Sequence, residues 1–272
     1  MSRILLSILF AFSIYSGICQ SNSVEFLLPS KFENIEVDQF GNIYLINRFS
    51  IEKRNAAFEK VAYYNNSSFG EIKVCDVSNP FRILIFSETF NQLMWLDKNL
   101  TPLSVAVSLD DLGFDEVSLV CAGIGNGFWL LDAFENCLVY IRDNLQTVHK
   151  SQRLDLDAVH KFVHLTEIDQ RVVVSSSDSL LFYFDAYANL LNVFPEIVAP
   201  GFKAGEKAVV FINKNKVLVS FHFKDLVSKK LLSLSKYKVY DYDIQGDRLY
   251  LLGEEKLLIT KISKNQLTES FE

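Results

Sequence analysis

The sequence predicts an all-β protein, on three observations. No stretch sustains a helical period, the apolar runs are short and alternate with period two, and turn residues cut them throughout. The stretch VDQFGNIYLIN, Val37 to Asn47, shows the form these runs take. Gly41 and Asn42 accept the positive φ that a tight turn needs, while Ile43, Tyr44, Leu45 and Ile46 suit a pleated sheet.

That unit recurs six times, as IEVDQFGNIYLIN, IKVCDVSNPFRILIF, VSLVCAGIGNGFWLLD, FVHLTEIDQRVVVSS, AVVFINKNKVLVSF and VYDYDIQGDRLYLLG. The second strand of each pair is expected near Ile43, Arg82, Phe128, Val172, Val217 and Leu249. The period is roughly 40 residues with a shorter last interval, in the range of propeller blades. A further strand and polar turn follow the pairs, as in LMWLDKNLTPLSVAV, LVYIRDNLQTVHKSQ and LFYFDAYANLLNVF, which makes four strands per repeat. The expected fold is therefore a six-bladed β-propeller of four-stranded antiparallel blades, one domain over residues 20–272. A lone four-stranded sheet cannot bury its faces, whereas six packed radially bury all but the outermost edges. Because the last unit supplies only three strands, SVEFLLP (Ser23 to Pro29) is expected to complete that blade from outside and close the ring. The fifth unit is irregular, since DLVSKKLLSLSK is short for two strands, and counts of five or seven blades stay open.

The first 19 residues read as a signal peptide. Arg3 supplies the positive start, Ile4 to Tyr15 an apolar run too short to span a bilayer in comfort, and Gly17 and Cys19 the small residues before cleavage at Gln20. A lipoprotein anchored through Cys19 is the alternative. The mature chain is expected to be exported, to periplasm, outer-membrane association or the exterior, with no transmembrane segment. Its three remaining cysteines, Cys75, Cys121 and Cys137, lie in apolar stretches and read as buried thiols, with a Cys121–Cys137 bridge left open.

The segment Asp38 to Leu45, of the form D-x-x-G-N-I-Y-L, resembles the first hairpin of a blade in six-bladed propellers of the NHL and TolB-like kind. In the other units it becomes VSN, GIGNG, IDQ, NKN and QGD. The export signal, the Asn/Lys/Phe/Ile-rich composition and the Gln start are similar to those of exported Bacteroidetes proteins. Some six-bladed propellers act as metal-dependent lactonases or lyases through side chains that converge on the central channel.

Composition narrows the function. A net charge of −6 argues against nucleic acid as the main partner, since phosphate binding needs clustered Lys and Arg. There is no G-x-S-x-G elbow, no HExxH and no phosphate-binding loop, and GIGNG (Gly123 to Gly127) reads as a hairpin turn. The inner strands, taken as IKV, VSLV, FVHL and AVVFI, read as mostly apolar; His160 and His164 share a strand face but read as packing. Trp95 and Trp129 read as inter-blade packing. No catalytic, cofactor or metal residue is assigned. The expected function is a non-catalytic module that binds or scaffolds a protein partner. The rival is a divalent-cation-dependent hydrolase or lyase seated in the channel.

In a propeller, the links between blades and the hairpins joining second to third strands emerge on one face. That face is expected to gather Asp110, Asp111, Asp115, Glu116, Asp132, Glu135, Asp155, Asp157 and Asp178 as a partner-binding acidic sector. A mainly basic sector is expected from Lys203, Lys207, Lys224, Lys229, Lys230 and Lys236, diluted by Glu206, Asp225, Glu254 and Glu255.

Overall fold

A computed structural model describes residues 23–29, 31–154, 161–195, 201–205 and 207–262. The segment expected to be a signal peptide, residues 1–19, lies outside these residues. The chain opens with β1 (Val24–Leu27). Blade 1 follows as β2 (Asn34–Val37), β3 (Ile43–Asn47), β4 (Ser50–Arg54) and β5 (Lys60–Asn65). Blade 2 is β6 (Val74–Asp76), β7 (Ile83–Ser87), β8 (Gln92–Leu96) and β9 (Val107–Ser108), and blade 3 is β10 (Val117–Ala122), β11 (Phe128–Asp132), β12 (Cys137–Ile141) and β13 (Thr147–Lys150). Blade 4 is β14 (Phe162–Ile168), β15 (Arg171–Ser176), β16 (Leu181–Asp185) and β17 (Leu190–Phe194). Blade 5 is β18 (Phe202–Ala204), β19 (Ala208–Ile212), β20 (Val217–His222) and β21 (Val227–Ser233). Blade 6 is β22 (Asp241–Gln245), β23 (Arg248–Leu252) and β24 (Lys256–Lys261), completed by β1. Each four-stranded sheet is antiparallel, and the protein is a six-bladed β-propeller.

Closure occurs where the sequence places it. β1 pairs with β24 from Val24 opposite Ile259 to Leu27 opposite Lys256. The Phe26 ring then stacks on Phe58 of blade 1, with centroids 4.0 Å apart, so the closing strand also bridges to the first blade.

Alternation along the strands becomes a packing rule once the ring exists. On β7, Ile83 and Ile85 pack toward Tyr44 and Ile51 of blade 1, while Leu84 and Phe86 pack toward Phe128 and Leu130 of blade 3. Most middle strands are thus apolar on both faces, β4 with its buried Glu52 and Lys53 being an exception, and buried clusters fill the seams between neighbouring blades, including the seam between blades 6 and 1. Trp95 and Trp129 are buried in the seams on either side of blade 3, as packing residues. Cys75, Cys121 and Cys137 are free buried thiols.

The fifth blade corrects the sequence register. AVVFI and VLVSF, taken as its first and second strands, are its second and third, and the first strand is the short β18 (Phe202–Ala204). The segment that looked short for two strands is one strand, β21. With Ala208 opening the second strand, the interval to Arg248 returns to about 40 residues, and the shortened last repeat disappears.

Candidate functional site: the axial channel and its two faces

The six inner strands β2, β6, β10, β14, β18 and β22 surround the axis and enclose two joined chambers, of about 390 and 360 Å³. The first opens on the face of the blade links and second-to-third hairpins, called the linker face below; Asn34, Lys216, Tyr237 and Tyr240 line it. The second opens on the opposite face and is lined by Ser78, Glu167, Gln245 and Gly246. Glu36, Cys75, His164, Phe202 and Lys203 border both chambers and form the neck.

This lining overturns the expectation of mostly apolar inner strands. They bring Glu36, Asp76, His164, Glu167, Lys203, Asp241 and Asp243 to the channel. AVVFI, one of the strands behind the expectation, is a middle strand of its blade. The sequence also placed Lys203 among surface loop charges, whereas it stands on β18 with its ammonium 2.8 Å from Glu36 Oε2 and 3.3 Å from Asp243 Oδ1.

The carboxylates have a structural task. Inner strands are edge strands whose backbone N–H groups face the axis unpaired, and a buried N–H needs an acceptor. Asp241 Oδ2 accepts from Ile35 N at 2.8 Å and Asp243 Oδ2 from Val37 N at 2.6 Å, joining blade 6 to blade 1. Asp76 Oδ2 accepts from Ala122 N at 2.8 Å, joining blades 2 and 3. Glu167 Oε2 accepts from Ile124 N at 3.0 Å and Trp129 Nε1 at 2.7 Å, joining blade 4 to blade 3.

Electrostatics follow from this crowding. Burial pushes the Glu36 carboxyl well above the usual range against the opposing pull of Lys203, although channel solvent still reaches 28% of its side chain. Burial works against the Lys203 charge, yet Asp243, Glu36 and Asp241 hold its ammonium well above the usual lysine value. Burial, reinforced by Lys203, lowers His164 to about 3, so the imidazole is neutral; its ring meets Phe202 edge-on at 4.6 Å. Burial likewise raises Asp241 and Glu167. Among the described residues, no group of three or more His, Cys, Asp or Glu is arranged to hold a metal ion. Of the histidine pair expected on one strand face, His164 is axial and His160 lies outside the described residues.

On the linker face, Asp110, Asp111, Asp115 and Glu116 occupy the link from β9 to β10, Asp132 and Glu135 the β11–β12 hairpin, and Asp178 the β15–β16 hairpin. Asp155 and Asp157 lie outside the described residues. Asp132 is buried and its Oδ1 accepts from Phe134 N and Glu135 N, so it shapes the turn. The other described members are exposed. The expected basic sector does not assemble. Lys207 and Lys224 lie in turns of the opposite face, Lys229 and Lys230 on the outer strand β21, and only Lys236 of the six keeps its place in a blade link. The one-strand register shift in blade 5 is the reason.

Among the described residues no helix is long and apolar enough to cross a membrane. No family model and no curated protein sequence matches the chain. Solved structures do. Virginiamycin B lyase from Staphylococcus aureus superposes with a TM-score of 0.62 at 9% identity, over 89% of this chain and 99% of that one. A catalytically inactive variant of the same enzyme, solved with quinupristin, gives 0.62 at 11% identity with the same coverage. A streptogramin B lyase gives 0.59 at 12%, over 84% of this chain and 78% of that one. At such identities the likeness shows a shared propeller fold.

Proposed function

We propose that this chain is an exported propeller of the cell envelope or exterior that binds or scaffolds a protein partner and is not itself a catalyst. The observation that carries the reading is how the axial carboxylates are used. Asp76, Glu167, Asp241 and Asp243 accept backbone or indole N–H bonds from neighbouring blades, and Lys203 takes Glu36 and Asp243 together. These groups close a ring, and a rigid ring presenting variable loops is a binding scaffold. The reading places the protein beside the NHL and TolB-like propellers, of the kind exported by Bacteroidetes.

A second reading is favoured by the fold shared with the lyases and by Glu36 and Asp241, acids of raised pKa that line the same chamber as a neutral His164. In that reading a divalent cation at the channel supports hydrolysis or elimination. Metal analysis of the purified protein, with thermal melting in the presence and absence of chelator, separates the two. Bound metal in whole-number ratio and a melting temperature lowered by chelator would replace the first reading with the second. A pull-down from envelope extract with the mature protein as bait tests the first directly; failure to retain any partner at physiological salt counts against it.

A further inference from the structure

We propose that the partner docks through a basic, apolar-rich segment on the linker face of blades 2 and 3, with Phe90 and Phe134 as its anchors. This rests on the binding reading above and names the surface and the chemistry it takes. Phe90, in the β7–β8 hairpin, is 54% exposed, and Phe134, in the β11–β12 hairpin, is 73% exposed. Large exposed aromatics rimmed by charge are the anatomy of a contact site, because an aromatic ring gives much contact area for little lost rotamer freedom.

The loops carrying the two rings are already fastened together. Asn91 Nδ2 donates to Asp110 Oδ1 and, at 2.6 Å, to the Phe114 carbonyl, while Leu109 N donates to the Asn91 carbonyl at 2.8 Å. Ala133 N donates to the Glu116 carbonyl at 2.8 Å, which ties the second hairpin to the same link. A platform held this way loses little freedom when a partner lands.

Charge decides the occupant. Asp110, Asp111, Asp115 and Glu116 stand on the link fastened to both hairpins and Glu135 on the hairpin of Phe134, with Glu88 on the hairpin of Phe90 and Asp178 one blade further on. The basic residues nearby are Lys73, which pairs with Glu88, Arg48, which pairs with Glu71, Lys150 at the end of β13 beside Cys137, and Arg153 and Lys161 in the link to blade 4. The excess is negative, and it repels anionic lipid and nucleic acid while attracting Lys and Arg within a Debye length of about 8 Å. Leu, Phe or similar side chains between those cations would meet Phe90 and Phe134.

The test uses a fluorescein-labelled peptide of about twelve residues alternating lysine and leucine, with a glutamate-leucine peptide as its counterpart. Fluorescence anisotropy with the mature protein should show binding of the lysine peptide that weakens as salt rises, and at least about tenfold weaker binding of the glutamate peptide. Phe90→Ser/Phe134→Ser should weaken the lysine peptide about tenfold or more. Phe134→Ser alone should weaken it severalfold should the double variant melt early. Phe40→Ser/Phe81→Ser, which removes an exposed ring pair on the opposite face, should leave it unchanged. Equal affinity for both peptides, no binding of the lysine peptide at about 1 mM, or an equal loss in the Phe40/Phe81 variant would overturn the proposal. A partner retained in the pull-down equally by wild type and by Phe134→Ser would also overturn this surface while leaving the binding reading standing.

Discussion

Lys203→Met removes the single ammonium that Glu36 and Asp243 share at the neck of the channel. At 2.8 and 3.3 Å and an effective dielectric near 20, each attraction is about 5–6 kcal/mol before desolvation. Burying the ammonium cancels much of that, but removing one partner leaves two carboxylates without compensation, for which a net loss of about 3 kcal/mol is expected at pH 8. The loss should depend on pH. The folded-state pKa of Glu36 is already raised, so its contribution to stability is present below about pH 4 and is lost as pH rises through the folded value. Without Lys203 that value rises further, and Glu36 is protonated over more of the mildly acidic range. The raised pKa of Lys203 itself keeps the wild-type ammonium charged throughout pH 5–8. Urea unfolding of wild type and variant at pH 8 and pH 5 should therefore show a deficit of about 3 kcal/mol at pH 8 that is smaller at pH 5. Adding Glu36→Gln to Lys203→Met should recover part of the loss at pH 8 and little at pH 5. A deficit below about 1 kcal/mol, or one equal at the two pH values, would refute the view that the neck is a buried, mutually dependent charge cluster.

Deleting Ser23 to Pro29 strips β1 from β24 and removes the Phe26–Phe58 stack and buried Leu28; the loss should reach at least about 3 kcal/mol, seen as early melting or aggregation in a thermal scan. Gly127→Ala places a Cβ 2.4 Å from the Ile141 carbonyl oxygen and 2.5 Å from the Tyr140 hydroxyl, so calorimetry should record a destabilisation of about 1–3 kcal/mol. Burial raises the thiols of Cys121 and Cys137, which lie in seams away from the channel; a disulfide reagent at pH 8 should label these two only as the protein unfolds, and their fast labelling in the native protein would contradict the seam packing. Once a partner is in hand, reversing Asp110, Asp111 and Asp115 to Lys should slow association and flatten its salt dependence, measured by stopped-flow mixing.

The blades were legible in the sequence because a hairpin is a local object. Asp38 Oδ1 accepts from Phe40 N and Asn42 N within its own turn, and Gly41 takes φ +78°; five residues suffice to specify that, and the β-branched run after it specifies the strand. The N-terminal closing strand was legible by count, since the last repeat lacked a fourth strand. Strand order in blade 5 was not. Asn213 Oδ1 accepts from Asn215 N and Val217 N with the same geometry as the Asp38 turn, yet one turn joins second to third strands and the other first to second. Turn chemistry fixes a reversal and says nothing of its distance from the axis. The three-residue β18 is too short to show a period, so local pattern alone shifts the repeat by one strand and assigns Lys203 to a loop.

The channel belongs wholly to tertiary structure. Glu36, Asp241 and Asp243 sit in stretches, NIEV and DYDIQ, that read as ordinary half-exposed strands. Their meaning comes from meeting across the joint between blades 6 and 1, about two hundred residues apart, where carboxylates answer backbone N–H groups that only ring closure brings within reach. Sequence determined that the chain would form repeating antiparallel sheets, because periodicity and turn conformation act over a few residues. Tertiary structure decided which strands face the axis and which charges neutralise one another, because that depends on how six sheets are phased around a common centre.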